Sequence, residues 1–211
     1  MILITKGKVP PVFSDIKRLY LNYDELQNPY KHDMLLDLIN EQGNICAYCM
    51  SRISDESSTI EHYIPRKGEN GDPSLSLEYR NMFAVCSNSR KGNNGVRHCD
   101  VSKGNQLLSI DPREANDIRH ISYKSNGEIC SDNEDFEHDL NVTLNLNNVT
   151  LISNRKSALD SALRELSKLH QGSWTKQQVQ KYLEKYQTAS PKVPYVGIIV
   201  YSLKKRLDRI T

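Results

Sequence analysis

CAYC at 46–49, IEHYIP at 60–65, YRNMFAVC at 79–86 and RHCDVSKGN at 97–105 form the frame that decides the fold. Four cysteines fall in two sets, Cys46 with Cys49 and Cys86 with Cys99, and a Glu-His pair lies between them. Two thiolates spaced as Cys-x-x-Cys reach one ion from a single tight turn, as in a zinc knuckle. Cys86 and Cys99 would complete a tetrahedral site. Between them lie 12 residues, where about two to four is usual. The insert SNSRKGNNGVRH is rich in Gly, Asn and Ser, so it can loop out and return the last thiolate. Buried free thiols, or His98 in place of Cys99, are the competing readings. The segment between the cysteines is polar and buries little. A metal would supply the folding free energy that packing cannot, on the order of 10 kcal/mol in small zinc modules. Cys130 stands apart and reads as an ordinary half-buried thiol.

The chain of 211 residues suits one domain, or one domain with a modest helical addition. A mean hydropathy of -0.62 with 26% charged residues describes a polar surface. No apolar run is long enough to span a membrane, and MILITKGKVPPVF lacks the pattern of a signal peptide. A cytoplasmic protein is expected, where five cysteines argue for metal binding or free thiols over disulfides. A net charge of +2 neither demands nor excludes nucleic acid.

Before the frame, residues 1–13 read as extended, because Pro10-Pro11 opposes a helix start. Ser14 is the expected cap of a helix carrying Ile16, Leu19, Tyr20 and Tyr23 on one face. Pro29 suits the first turn of a second helix with Leu35, Leu38 and Ile39 inward, and Gly43 suits its stop. After the frame, Ser125-Asn126-Gly127 predicts a turn between short strands. The acidic run Asp132, Glu134, Asp135, Glu137 and Asp139 reads as a solvated loop. Val142, Leu144, Leu146 and Val149 alternate as in a strand. From about 154 the period is helical, with Leu159, Leu163, Leu166 and Leu169 on one stripe. Thr175 and Gln178 form a capping-box pattern. A last helix carries Val196, Ile199, Val200, Leu203 and Leu207, with Lys204, Lys205 and Arg206 in its final turns. Three regions result: 1–45, an N-terminal arm and helices; 46–110, the metal-bound core; and 111–211, a mostly helical region for packing or docking.

Ile60 to Pro65 reads as a strand ending at a proline, and Asp100 can begin a helix held by the neighbouring cysteine. These residues resemble the HNH, or ββα-metal, nuclease family over Cys46 to about Leu108. The resemblance implies an α+β fold: a zinc-stabilised ββα-metal core with flanking helices, mainly C-terminal. It implies that Glu61 and Asp100 hold a catalytic Mg²⁺ or Mn²⁺, that His62 is the general base and that Asn81 positions His62 through a hydrogen bond. Asn105 is a further ligand or phosphate contact. The residue chemistry agrees, since His can take a proton from water near neutrality and hard oxygen donors suit Mg²⁺. Arg66, Arg90, Lys91, Arg97 and Lys103 cluster around the motif as candidate phosphate contacts. Glu61 stands where the family more often has Asp.

KGKVPP, IEHYIPR, RNMFAVC and RHCDVSKGN followed by IDP also look like PtuB, the HNH subunit of Septu-type anti-phage systems. That likeness implies a nucleic-acid substrate, an ABC/SMC-like ATPase partner of the PtuA type and, where such subunits accompany retrons, a reverse transcriptase with its RNA/DNA. The chain itself has no Walker-type phosphate loop. The alternative is a catalytically inert, zinc-stabilised nucleic-acid-binding or adaptor module.

Overall fold

A computed structural model describes residues 1–87, 96–169 and 172–210. Pro11 opens α1 (Pro11–Leu19) at a position that needs no amide donor. The double proline therefore starts a helix inside the stretch expected to be extended, and Ser14 lies within the helix instead of capping it. Phe13 and Ile16 are buried, Leu19 is exposed, and Tyr23 lies beyond the helix in a short 3-10 turn. Tyr30–Glu41 forms α2, with Met34, Leu38 and Ile39 buried. Gly43 follows at φ +67, the left-handed conformation expected of a helix stop.

The knuckle follows at once, and then two antiparallel strands. β1 (Ser58–His62) pairs with β2 (Met82–Cys86), Ser58 facing Cys86 and His62 facing Met82. Every residue of β2 is buried. Its far edge cannot be left unpaired, and Gln42 at the end of α2 covers it. The Gln42 amide donates to the Ala84 carbonyl at 2.7 Å and accepts from the Ala84 N–H at 2.8 Å, as a neighbouring strand would. Lys6 anchors the N-terminal arm across the same layer, donating to the Met82 carbonyl and pairing with Glu41 at 2.9 Å. After Cys99 comes the four-residue helix α3 (Asp100–Lys103).

The second half begins with α4 (Ala115–Arg119) and a hairpin of β3 (Ile121–Tyr123) and β4 (Ile129–Ser131), turning at Gly127 as expected. The acidic run does not remain a loop. Asn133 caps α5 (Glu134–His138), and a π-helical turn, Asp139–Thr143, follows. Asp139 is buried, accepting from the Ser109 and Ile110 amides. The alternation at 142–149 is no strand either: Leu144 and Leu146 are buried in coil, while Val142 and Val149 are exposed. Three longer helices close the chain: α6 (Val149–Leu169), α7 (Lys176–Thr188) and α8 (Val196–Leu207). α6 begins five residues before the predicted period, and the Thr175–Gln178 capping box of α7 forms as read. Leu169, assigned to the apolar stripe of α6, is exposed.

The buried side chains form one cluster running from Met1 to Leu203. α8 lies directly on the knuckle. The Tyr195 amide donates to the Met50 carbonyl at 2.9 Å, and a Cβ at Gly197 would sit 2.9 Å from Met50 Sδ. Arg155 of α6 is 1% exposed, and its guanidinium donates to the carbonyls of Gly127 (2.6 Å) and Leu146 (2.8 Å) and to Asn147 Oδ1 (3.0 Å). Arg155→Met would strand those acceptors in the core. It should lower stability by about 3 kcal/mol or more, read as a fall in the urea midpoint with little change in m-value.

Candidate functional site

Cys46 and Cys49 project from the turn between α2 and β1, Cys86 ends β2, and Cys99 precedes α3. All four thiols are buried, and their sulfurs lie within 4.8 Å of one another. The separations are 3.9 Å for Cys46–Cys99 and 3.7 Å for Cys49–Cys86. Disulfides need about 2.05 Å. A tetrahedral ion with Zn–S bonds of about 2.3 Å needs sulfurs about 3.8 Å apart, so the group could hold a metal such as zinc. Burial pushes the Cys99 thiol well up, while the neighbouring thiols hold Cys49 well down. A cation is what lets all four ionise together. His98 places Nδ1 3.2 Å from Cys99 Sγ and 3.9 Å from Cys86 Sγ, beside the four-sulfur group. Cys130 is half-buried in β4, away from the cluster.

Immediately beside the cluster lies a cleft of about 430 Å³ lined by Glu61, His62, Arg66, Asp100 and Asn105, among others. Glu61 and His62 reach it from the end of β1, and Asp100 from the start of α3. Glu61 is 5% exposed. Its Oε1 pairs with Lys103 Nζ at 2.7 Å and accepts from the Tyr48 hydroxyl at 3.3 Å. Burial pushes its carboxyl up to about 8; Lys103 pulls it down, and a hydrogen bond with the Asp100 carboxyl raises it further.

His62 donates Nε2–H to the Ser76 carbonyl at 2.9 Å. A carbonyl can only accept, so in the neutral ring Nδ1 carries the lone pair. Burial lowers the imidazole to about 4, which keeps it neutral at pH 7. His62 is 7% exposed and lines the cleft. The Tyr23 ring packs edge-on against the imidazole at 4.7 Å.

The other predicted residues fare differently. Asn81 makes no hydrogen bond to the His62 ring. Its amide instead holds the backbone of Ile64, accepting at 2.8 Å and donating at 3.0 Å, and donates to the Leu75 carbonyl at 3.2 Å. It therefore fixes the turn that follows His62 and the segment leading to Ser76. Lys103 is no surface phosphate contact: its side chain is fully buried. Arg66 stands on the cleft rim, paired with Asp24 and stacked 4.6 Å from the Tyr23 ring. Lys67, not singled out from the sequence, lies beside it and meets Asp24 at 2.8 Å. Asn105 sits on the rim, its Cβ 3.3 Å from where a side chain on Gly68 would begin. Arg97 is exposed and does not line the cleft. Arg90 and Lys91 lie outside the described residues. Ser76 contributes only a backbone carbonyl, which no residue type signals, and Tyr48 lies between two cysteines whose spacing speaks only for the turn.

Fold and site together define an α+β chain with a buried four-cysteine group that could hold a metal, and a cleft that carries two carboxyls and a histidine. No known family model matches the chain. Over 108 residues it is 28% identical to "Retron Vc95 putative HNH endonuclease" of Vibrio cholerae serotype O1 biovar El Tor. The match covers 50% of this chain and 51% of the relative, so the chain spans about half the length of the curated relative it matches. A retron-associated HNH protein is thus a relative, in accord with the HNH resemblance. No helix among the described residues is long and apolar enough to cross a membrane.

Proposed function

We propose that the chain is a metal-dependent HNH endonuclease that hydrolyses phosphodiester bonds of DNA or RNA. In this reading β1, β2 and α3 form the ββα-metal unit, the four thiolates hold a structural zinc, and Glu61 and Asp100 hold a catalytic Mg²⁺ or Mn²⁺. The observation that carries it is the meeting of Glu61, His62 and Asp100 in one cleft, with Asp100 directly after a cysteine of the cluster. Two adjacent carboxyls supply the hard oxygen donors that such a cation takes.

When bound, the cation would stabilise charge developing on the phosphate and the leaving oxygen. The chain's own groups do the rest. His62 Nδ1 removes a proton from the attacking water, while Ser76 holds the opposite nitrogen and Tyr23 fixes the ring plane. Asn81 keeps the Ser76 segment and the turn after His62 in register. Arg66 and Lys67 on the rim place positive charge where a phosphate backbone would pass, which positions a strand without reading its sequence. Products would carry a 5′-phosphate and a 3′-hydroxyl. The relative's name supports a retron setting; the PtuB likeness alone extends the proposal to a defence complex with an ABC/SMC-like ATPase and, in a retron, a reverse transcriptase with its RNA/DNA as partners.

The test is digestion of a mixed pool of DNA and RNA by the zinc-loaded protein, alone and with its ATPase, with and without Mg²⁺ or Mn²⁺. Cation-dependent cleavage leaving 5′-phosphates is expected. Intact pools in every condition would overturn the enzyme in favour of a binding or adaptor module.

A further inference from the structure

Lys103 occupies the place where the site is most sensitive to charge. It ends α3, one turn after Asp100, and its side chain is 0% exposed. Its ammonium meets Glu61 Oε1 at 2.7 Å and donates to the His62 carbonyl at 3.2 Å. Those two bonds tie α3 to the last two residues of β1. The same Glu61 carboxyl hydrogen-bonds with Asp100. One carboxyl thus faces a fixed ammonium and a second carboxyl at once.

Lysine is almost never fully buried unless paired, because the desolvated charge has to be offset. Two adjacent carboxyls repel once both are ionised, and a positive charge beside them favours that form. Lys103 sets one such charge 2.7 Å from Glu61 Oε1; a divalent cation would supply two. The ammonium can therefore hold Glu61 against the end of β1 before any cation arrives, but it also repels the cation that the two carboxyls attract.

We infer that Lys103 is a positioning residue that holds Glu61 in place in the cation-free site and, by its charge, weakens the affinity of Glu61 and Asp100 for the divalent ion. This rests on the nuclease reading of the cleft. It gives two consequences of opposite sign that a purely structural lysine does not. Loss of the ammonium loosens the empty site. It also tightens cation binding, by about tenfold or more on the scale of a like-charge neighbour at this range. A lysine that serves only to pack and pair would lower folding stability and cation affinity together.

The experiment is Mn²⁺ titration of the zinc-loaded protein without nucleic acid, followed by calorimetry and by the electron paramagnetic resonance of free Mn²⁺. Thermal melts before and after Mn²⁺ accompany it. Lys103→Met keeps the length of the side chain and removes the charge. It should melt lower when cation-free, bind Mn²⁺ about tenfold tighter than wild type and recover more stability on binding. Lys103→Arg, which keeps the charge, should bind Mn²⁺ within a few-fold of wild type. Lys103→Gln, which keeps a donor for the His62 carbonyl, replaces the Met variant if that one does not fold and should also bind more tightly. Neutral variants that bind Mn²⁺ no better than wild type, while wild type does bind, overturn this inference alone. Wild-type protein that takes up no Mn²⁺ beyond its zinc overturns the cation reading of the cleft and this inference with it.

Discussion

Cys49→Ser should leave a chain that retains no zinc and melts far below wild type. Cys49 is buried, with its sulfur 3.7 Å from Cys86. A serine hydroxyl at that position is harder, shorter and protonated at neutral pH, so it is a poor ligand for the ion. The damage would spread because the knuckle touches every layer. Ala47 donates to the Ala84 carbonyl of β2, Tyr48 reaches Glu61, and Met50 accepts from Tyr195 at the start of α8. Structural zinc contributes on the order of 10 kcal/mol in small modules, against a total stability of about 5–15 kcal/mol. Losing even half of it would shift the melting temperature by about 10 °C or more in a chain of this size. The measurements are zinc per chain by elemental analysis and the near-ultraviolet circular dichroism melt. Stripping zinc from wild type should reproduce the variant, and Cys130→Ser should match wild type in both. Wild-type protein that contains no zinc, with Cys49→Ser equally stable, would reduce the cluster to packed thiols.

The parts of the structure legible in the sequence are those whose information is local. The knuckle spacing announced a turn, and the two later cysteines close on it despite the long insert, because a sulfur cluster is satisfied by four side chains regardless of loop length. The Thr175–Gln178 capping box and the left-handed Gly43 likewise depend on a few adjacent residues. Glu61 and His62 were placed on a strand, and β1 carries them. The helix begun at Pro11 was also local chemistry, but it was read the wrong way: a proline that cannot extend a helix backwards is well suited to open one.

Elsewhere a partner distant in sequence decides. Lys103 and Asp139 carry charge, and charge alone reads as solvent-facing. Each is buried because another segment supplies what it needs, the Glu61 carboxyl and the His62 carbonyl for one and the Ser109 and Ile110 amides for the other. The orientation of His62 depends on the Ser76 main chain, which any residue type could provide. Asn81 shows the same limit from the other side. Its position was recognisable, but its hydrogen bonds go to backbone around His62 and none to the ring.

His62→Ala is expected to remove turnover and little else. Truncating the ring leaves the Ser76 carbonyl without its donor beside a small void against Tyr23, a loss of about 1–3 kcal/mol. The residue lies at the end of β1 next to the cleft, so water can fill part of the space, and the four-cysteine group is untouched. Removing a general base slows the reaction by about 10² to 10⁴. Fold and zinc content should stay at wild-type levels while cleavage drops by that factor. His62→Gln separates the base from a positioning role. A glutamine amide can still donate towards the Ser76 carbonyl, but it offers no lone pair of useful basicity to water. If His62 acts as the base, the Gln variant should be as slow as Ala. If the ring serves only to hold the Ser76 segment in place, Gln should restore most of the rate. Cleavage by both variants at the wild-type rate, with Mg²⁺ present and zinc retained, would place the base elsewhere than His62.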